Sequence, residues 1–139
     1  GTVGAALTAA VLGIPALAVS LAWGEDEHWD TAAELAASLV PDLPACRVLN
    51  LNVPNVPRRA VRGLRGARLA PFAERWRASA TDGEVHLEYV GHDGEPEPDT
   101  DVGLVRAGYA ALTELTGITG VPAAIASPAE WPREAAAGP

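Results

Sequence analysis

Methionine and lysine are absent from this 139-residue chain, cysteine occurs once, and no charged side chain appears before Glu25. Each absence narrows the reading. Without a Met at residue 1, the opening run Gly-Thr-Val-Gly-Ala-Ala reads as the interior of a fold, a secretory signal or a membrane span. One thiol, Cys46, excludes an intrachain disulfide framework and a Cys-based zinc site. Its expected place is a buried or half-buried apolar one. A lone cysteine also fits a reducing, cytoplasmic setting. Without lysine, every basic residue is an arginine, and the net charge of −8 argues against general nucleic-acid binding.

The uncharged opening is long enough for a span, since about 20 apolar residues cross a bilayer as a helix. Gly13-Ile14-Pro15 interrupts it, and no basic residue flanks it to anchor or orient a span. A secretory signal needs a positive start, which is missing. The expectation is therefore no membrane segment but two elements of a fold. Thr2 to Leu12 places Val3, Ala6, Leu7, Ala10 and Val11 on one helical face. Ile14 to Leu21 is a short apolar run of the kind that forms a strand buried on both faces.

Further along, Asp30 or Thr31 caps a second helix, with Thr31-x-x-Glu34 at capping-box spacing, and Pro41 ends it. Arg47 to Pro54 is a second strand, Leu49, Leu51 and Val53 on one face, Val48, Asn50 and Asn52 on the other. Gly63 to Leu69 is read as strand, with helix as the alternative for this arginine-rich segment. Glu84 to Val90 alternates as a half-buried strand or an exposed arm after the Asp82-Gly83 turn. Thr100 or Asp101 caps a helix from Val102 to Tyr109, and Ala110 to Leu115 is a closing strand. The order is that of an α/β domain. Residues 1–57 form the core, 58–119 a β-rich extension with an arm and a closing helix and strand, and 120–139 a disordered tail.

Chemistry is sparse. Glu25, Asp26, Glu27, His28 and Asp30 form an acidic loop whose contiguity suits solvent better than a cation cage. His86 faces solvent or a subunit, and His92 lies in a turn. Ser20 has no assignable His partner, and no Ser-x-x-Lys, Gly-x-Ser-x-Gly, HExxH or P-loop motif occurs. Eight arginines, Arg47, Arg58, Arg59, Arg62, Arg65, Arg68, Arg75 and Arg77, crowd the middle of the chain. Surface ion pairs account for most of them. The functional alternative is an anionic ligand or a second subunit, because guanidinium groups suit carboxylate and phosphate. One site-like feature remains: Gly1-Thr2-Val3-Gly4 opens a helix, where free N–H groups and the Thr2 hydroxyl favour a phosphate.

Five blocks, GTVGAAL…LGIPALAVSLAW, HWDTAAELAASLV, RVLNLNVPNVP, RGLRGARLA and DTDVGLVRAGYAALTELT, resemble in order the C-terminal portion of the survival protein SurE family. The Leu49 to Pro54 block and the opening block are the most specific. The resemblance implies a Rossmann-like three-layer α/β/α core with its N-terminal strands missing, and a β-rich C-terminal oligomerisation arm. It implies hydrolysis of nucleoside monophosphates as phosphomonoesters, with Mg2+ or Mn2+, by a homodimer or tetramer assembled through the arm. The family's metal ligands, a pair of aspartates, a Ser and an Asn, lie upstream of its Ser-Gly-Thr-Val block, so only Gly1 and Thr2 carry over, as phosphate-binding residues. No catalytic or metal-binding residue is assigned in this chain, which is expected to be inactive alone. The family's aromatic hairpin is reduced here to Trp76 through Tyr89, and its Ile-Thr-Pro-Leu ending is Leu-Thr-Glu-Leu at Leu112 to Leu115. The alternatives are a non-catalytic assembly module and an anion-binding domain using the arginine-rich segment, which replacing Arg62 and Arg65 by alanine would test.

Overall fold

The first helix is built from small residues, and that decides how closely it lies against the sheet. The computed structural model describes residues 1–45, 47–71, 75–81, 83–91 and 95–116. Helix α1 (Thr2–Val11) buries Ala6 and Ala10 one turn apart, with Val3 and Leu7 packed beside them. Val11, expected on the same stripe, is 61% exposed because the helix ends there. Gly13 at φ +76° closes the end: its N–H bonds the Ala10 carbonyl, and that of Ile14 bonds Ala9. This is the left-handed glycine stop, and Pro15 prevents the helix from restarting. The chain folds straight back into β1 (Ala16–Leu21), so α1 runs antiparallel to β1 and packs on it.

Then follow α2 (Trp29–Leu39), β2 (Arg47–Val53), β3 (Leu64–Gly66), β4 (Arg75–Thr81), β5 (Glu84–Gly91), α3 (Asp101–Arg106) and β6 (Ala110–Thr116). The main sheet has the order β1-β2-β6-β3. Strands β1 and β2 are parallel, Ala16 opposite Val48 through Leu21 opposite Val53. Strand β6 enters between β2 and β3, antiparallel to β2 and parallel to β3. The arginine-rich segment thus supplies a strand, shortened to Leu64–Gly66 at the sheet edge.

Register divides the side chains between two faces. Leu17, Val19, Leu21, Leu51, Val53, Ala110 and Leu112 pack with Ala32 and Leu35 of α2. On the opposite face Ala16, Ala18, Val48 and Leu115 pack under α1. Helices on both faces make three layers, an α/β architecture. Val48 is fully buried, so the face of β2 that carries the asparagines is covered as well.

Helix starts show where tertiary contacts replace local capping. The N-cap of α2 is His28, and no side chain of that helix caps it. Thr31 lies inside the first turn, buried, and its hydroxyl donates to the Val56 carbonyl at 3.0 Å. Asn55 takes over the capping role from the loop after β2, its Oδ1 accepting the His28 N–H at 2.9 Å. At α3 the expected Thr100 cap forms: Gly103 N–H donates to Thr100 Oγ1 at 3.1 Å. That helix stops at Arg106 rather than Tyr109, because Gly108 turns at φ +84°.

Among the described residues strands β4 and β5 pair only with each other, as an antiparallel hairpin. Val85 on it is 70% exposed, which favours an arm over a half-buried strand. Among the described residues no helix is long and apolar enough to cross a membrane. Cys46, His92 and the expected disordered tail at 120–139 lie outside the described residues.

Candidate functional site

Parallel strands with a helix packed antiparallel to them bring a helix start to the strands' C-terminal end, where ligands of open α/β sheets bind. That end of β1 and β2 carries three features. The first is the start of α1. Gly1 is its N-cap, no side chain caps it, and its first backbone bond runs from Ala5 N–H to the Gly1 carbonyl. Gly1, Thr2 and Gly4 are all exposed, and a Cβ added at Gly1 or Gly4 meets nothing within 4 Å. The approach to the first N–H groups is open.

The second feature is a pair of loops knitted together by Asn55. Besides capping α2, its amide lies against Gly24, where any side chain would overlap it. Glu25, Asp26 and Glu27 stand exposed on this loop, and Glu27 accepts a bond from Trp29 Nε1 at 2.9 Å. Among the described residues no three His, Cys, Asp or Glu side chains converge to hold a metal ion. Asn55 carried no motif, and its role is legible only as the general ability of Asn to bond neighbouring backbone in turns.

The third feature lies on the α1 face of the sheet. Ser20, Asn52 and Ala111 are level with one another across β1, β2 and β6, and Asn50 is buried one pair below, with its Oδ1 unpartnered. Asn52 donates to Asp101 Oδ2 at 3.4 Å, while Asp101 Oδ1 accepts the N–H groups of Ala70 at 2.8 Å and Val102 at 2.9 Å. Asp101 thereby ties the loop after β3 and the start of α3 to β2.

Six of the arginines fall into two groups by what they touch. Arg47 pairs with Glu114, Arg58 reaches Glu34 at 3.7 Å, and Arg77 reaches Glu88 at 3.2 Å. Arg68 forks onto Asp99 at 2.8 Å and Glu97 at 2.6 Å. The hydrogen bond from Arg68 holds the Asp99 carboxyl below its ordinary range, and the same bond raises the Arg68 guanidinium. Asp99's pairing therefore acts at neutral pH and fades as pH falls through that lowered range, a small effect at an exposed site. His86, 3.8 Å from Glu84, is equally exposed. Arg62 and Arg65 instead gather on the ring of Tyr109.

The sequence pattern of the family described as "Survival protein SurE" matches residues 1–76. The chain is 38% identical to the 5'-nucleotidase SurE of Nitrosococcus oceani, over 83% of this chain and 50% of that protein. It is 37% identical to the 5'/3'-nucleotidase SurE of Proteus mirabilis, over 83% of this chain and 48% of that protein. The crystal structure of the SurE protein from Aquifex aeolicus superposes with a TM-score of 0.65 at 22% identity, covering 83% of this chain and 50% of that one. The chain spans about half the length of the curated relatives it matches.

Proposed function

We propose a phosphomonoesterase role for this chain, which belongs to the SurE family: it is the part of a 5'/3'-nucleotidase that presents a helix start to the phosphate of a nucleoside monophosphate. The observation that carries the reading is the open start of α1 at the C-terminal end of β1 and β2. Backbone N–H groups there, with the positive end of the helix dipole, favour a bound phosphate. Gly1 and Thr2 are the residues assigned to it, the glycine leaving room for the oxyanion and the Thr2 hydroxyl adding a donor.

Hydrolysis in this family reading uses Mg2+ or Mn2+, which activates water and neutralises phosphoryl oxygens. The described residues do not fit such a cation, since no hard-oxygen cage converges among them. In this reading its ligands come from polypeptide outside these residues. The test is phosphate release from a nucleoside monophosphate with Mg2+ or Mn2+. None is expected from the 139-residue chain alone, and activity is expected when the N-terminal half of a relative such as the Nitrosococcus oceani protein is supplied. Metal-dependent release by the chain alone would overturn the division of labour.

A second reading, assembly through the arm, rests on the hairpin of β4 and β5. A two-stranded hairpin is marginal by itself in water, and neither strand packs extensively on another element among the described residues. In this reading the arm pairs with a second copy, giving a homodimer or tetramer. Replacing residues 75–91 by a short Gly/Ser linker is expected to reduce the mass seen by light scattering to that of a monomer. An unchanged oligomeric mass would count against the arm.

A further inference from the structure

Tyr109, just before β6, carries two guanidinium groups: Arg65 lies 3.8 Å and Arg62 4.6 Å from its ring centroid. The backbone sets this up. Arg62 N–H donates to the Gly108 carbonyl at 2.9 Å, and Ala110 N–H donates to that of Gly63 at 2.9 Å. Arg62 Nη1 also bonds the Ala107 carbonyl at 3.1 Å. Its side-chain stem crosses Gly108, where a Cβ would come within 3.3 Å of Arg62 Cδ. Arg62 is therefore held rather than free to swing, and Arg65 stacks on the same ring.

Among the described residues no carboxylate answers their charge. Arg47, Arg58, Arg68 and Arg77 each reach a carboxylate; among the described residues Arg62 and Arg65, like Arg59 and Arg106, reach none within 4.0 Å, but Arg62 and Arg65 share one ring. In a chain of net charge −8, carboxylates are plentiful. Two like charges on one aromatic ring repel each other, and a divalent oxyanion relieves that repulsion. Guanidinium groups fixed by stacking also lose little freedom on binding, and their forked N–H donors match phosphate oxygens.

We infer that Arg62, Arg65 and Tyr109 form an oxyanion site for phosphate, free or as a monoester. It lies along the β3 edge, at the end of the sheet where β2 finishes and β6 begins. Three strand spacings separate that edge from β1, about 14 Å. The site stands independently of the nucleotidase reading, because none of its residues belongs to the start of α1.

The test is NMR titration of the full chain, following the Arg62 and Arg65 Nε–H signals as inorganic phosphate or adenosine monophosphate is added at constant ionic strength. Saturable shifts at both arginines are expected in the wild type; followed at the backbone amides of Gly63 and Tyr109, which both proteins keep, binding should be at least tenfold weaker in an Arg62→Gln, Arg65→Gln double variant. Tyr109→Phe, which keeps the ring, should bind within twofold of wild type. Equal affinity for the two probes identifies free phosphate as sufficient, and tighter nucleotide binding identifies the ester; both support the site. Linear shifts, or shifts matched by chloride, overturn it, whether or not the double variant folds.

Discussion

Replacing Leu51 with alanine should cost the fold about 3–4 kcal/mol, the middle of the range for truncating a buried leucine. Leu51 is fully buried at the centre of β2. Val19 on β1 and Leu112 on β6 flank it in register, and Ala32 and Leu35 of α2 cover it. Strands on both sides fix the backbone there, so the cavity cannot collapse easily and the loss exceeds simple transfer of three methyl-sized groups. In urea, with a slope of about 2 kcal/mol/M for a domain of this size, the midpoint should fall by roughly 1.5–2 M. Leu12→Ala is the matched control: Leu12 is 71% exposed just past α1, and its loss should be within about 0.5 kcal/mol of neutral. A loss below about 1 kcal/mol at Leu51 would mean the two-faced core is not sealed as described.

Gly103→Ala should be destabilising by about 2 kcal/mol, although alanine is the better helix former. A Cβ at Gly103 overlaps the Glu97 carbonyl oxygen and lies 3.0 Å from its carbon and 3.2 Å from Pro98 Cα. These are backbone atoms that cannot rotate aside. The same carbonyl accepts from Thr100 N–H and from Thr100 Oγ1, so displacing it disturbs the α3 cap. The turn also carries Glu97 and Asp99, which grip Arg68. Overpacking should thus propagate to the attachment of β3, visible as faster amide exchange at Ala67 and Arg68 as well as a lower urea midpoint. Gly4→Ala on α1 gives the contrast. Its Cβ meets nothing within 4 Å, and the substitution should stabilise by about 0.5–1 kcal/mol. Destabilisation at both glycines would remove the steric explanation for Gly103.

Much of this was legible from residue order, because it depends on periodicity and local stops. Gly13-Ile14-Pro15 divides α1 from β1 wherever the chain goes. The alternation of Leu49, Leu51 and Val53 specifies a strand with one apolar face, and Val48 on the other face signals that both are covered. Thr100 caps α3 through a residue three positions on. The ordered blocks carry the family.

What the tertiary structure alone decided are the pairings between distant segments. Ala110 to Thr116 reads as a strand, but its alternation would suit either sheet edge. Its insertion between β2 and β3 follows from how Leu112 and Leu115 complete two cores at once. Asn55 displaces Thr31 as the capping group of α2 only because β1 and β2 end side by side. Arg62 and Arg65 meet Tyr109 because β3 runs parallel to β6 and starts level with it. Periodicity records which side chains avoid water; which strands lie next to each other is settled by packing summed over the whole sheet, and no single segment carries that sum.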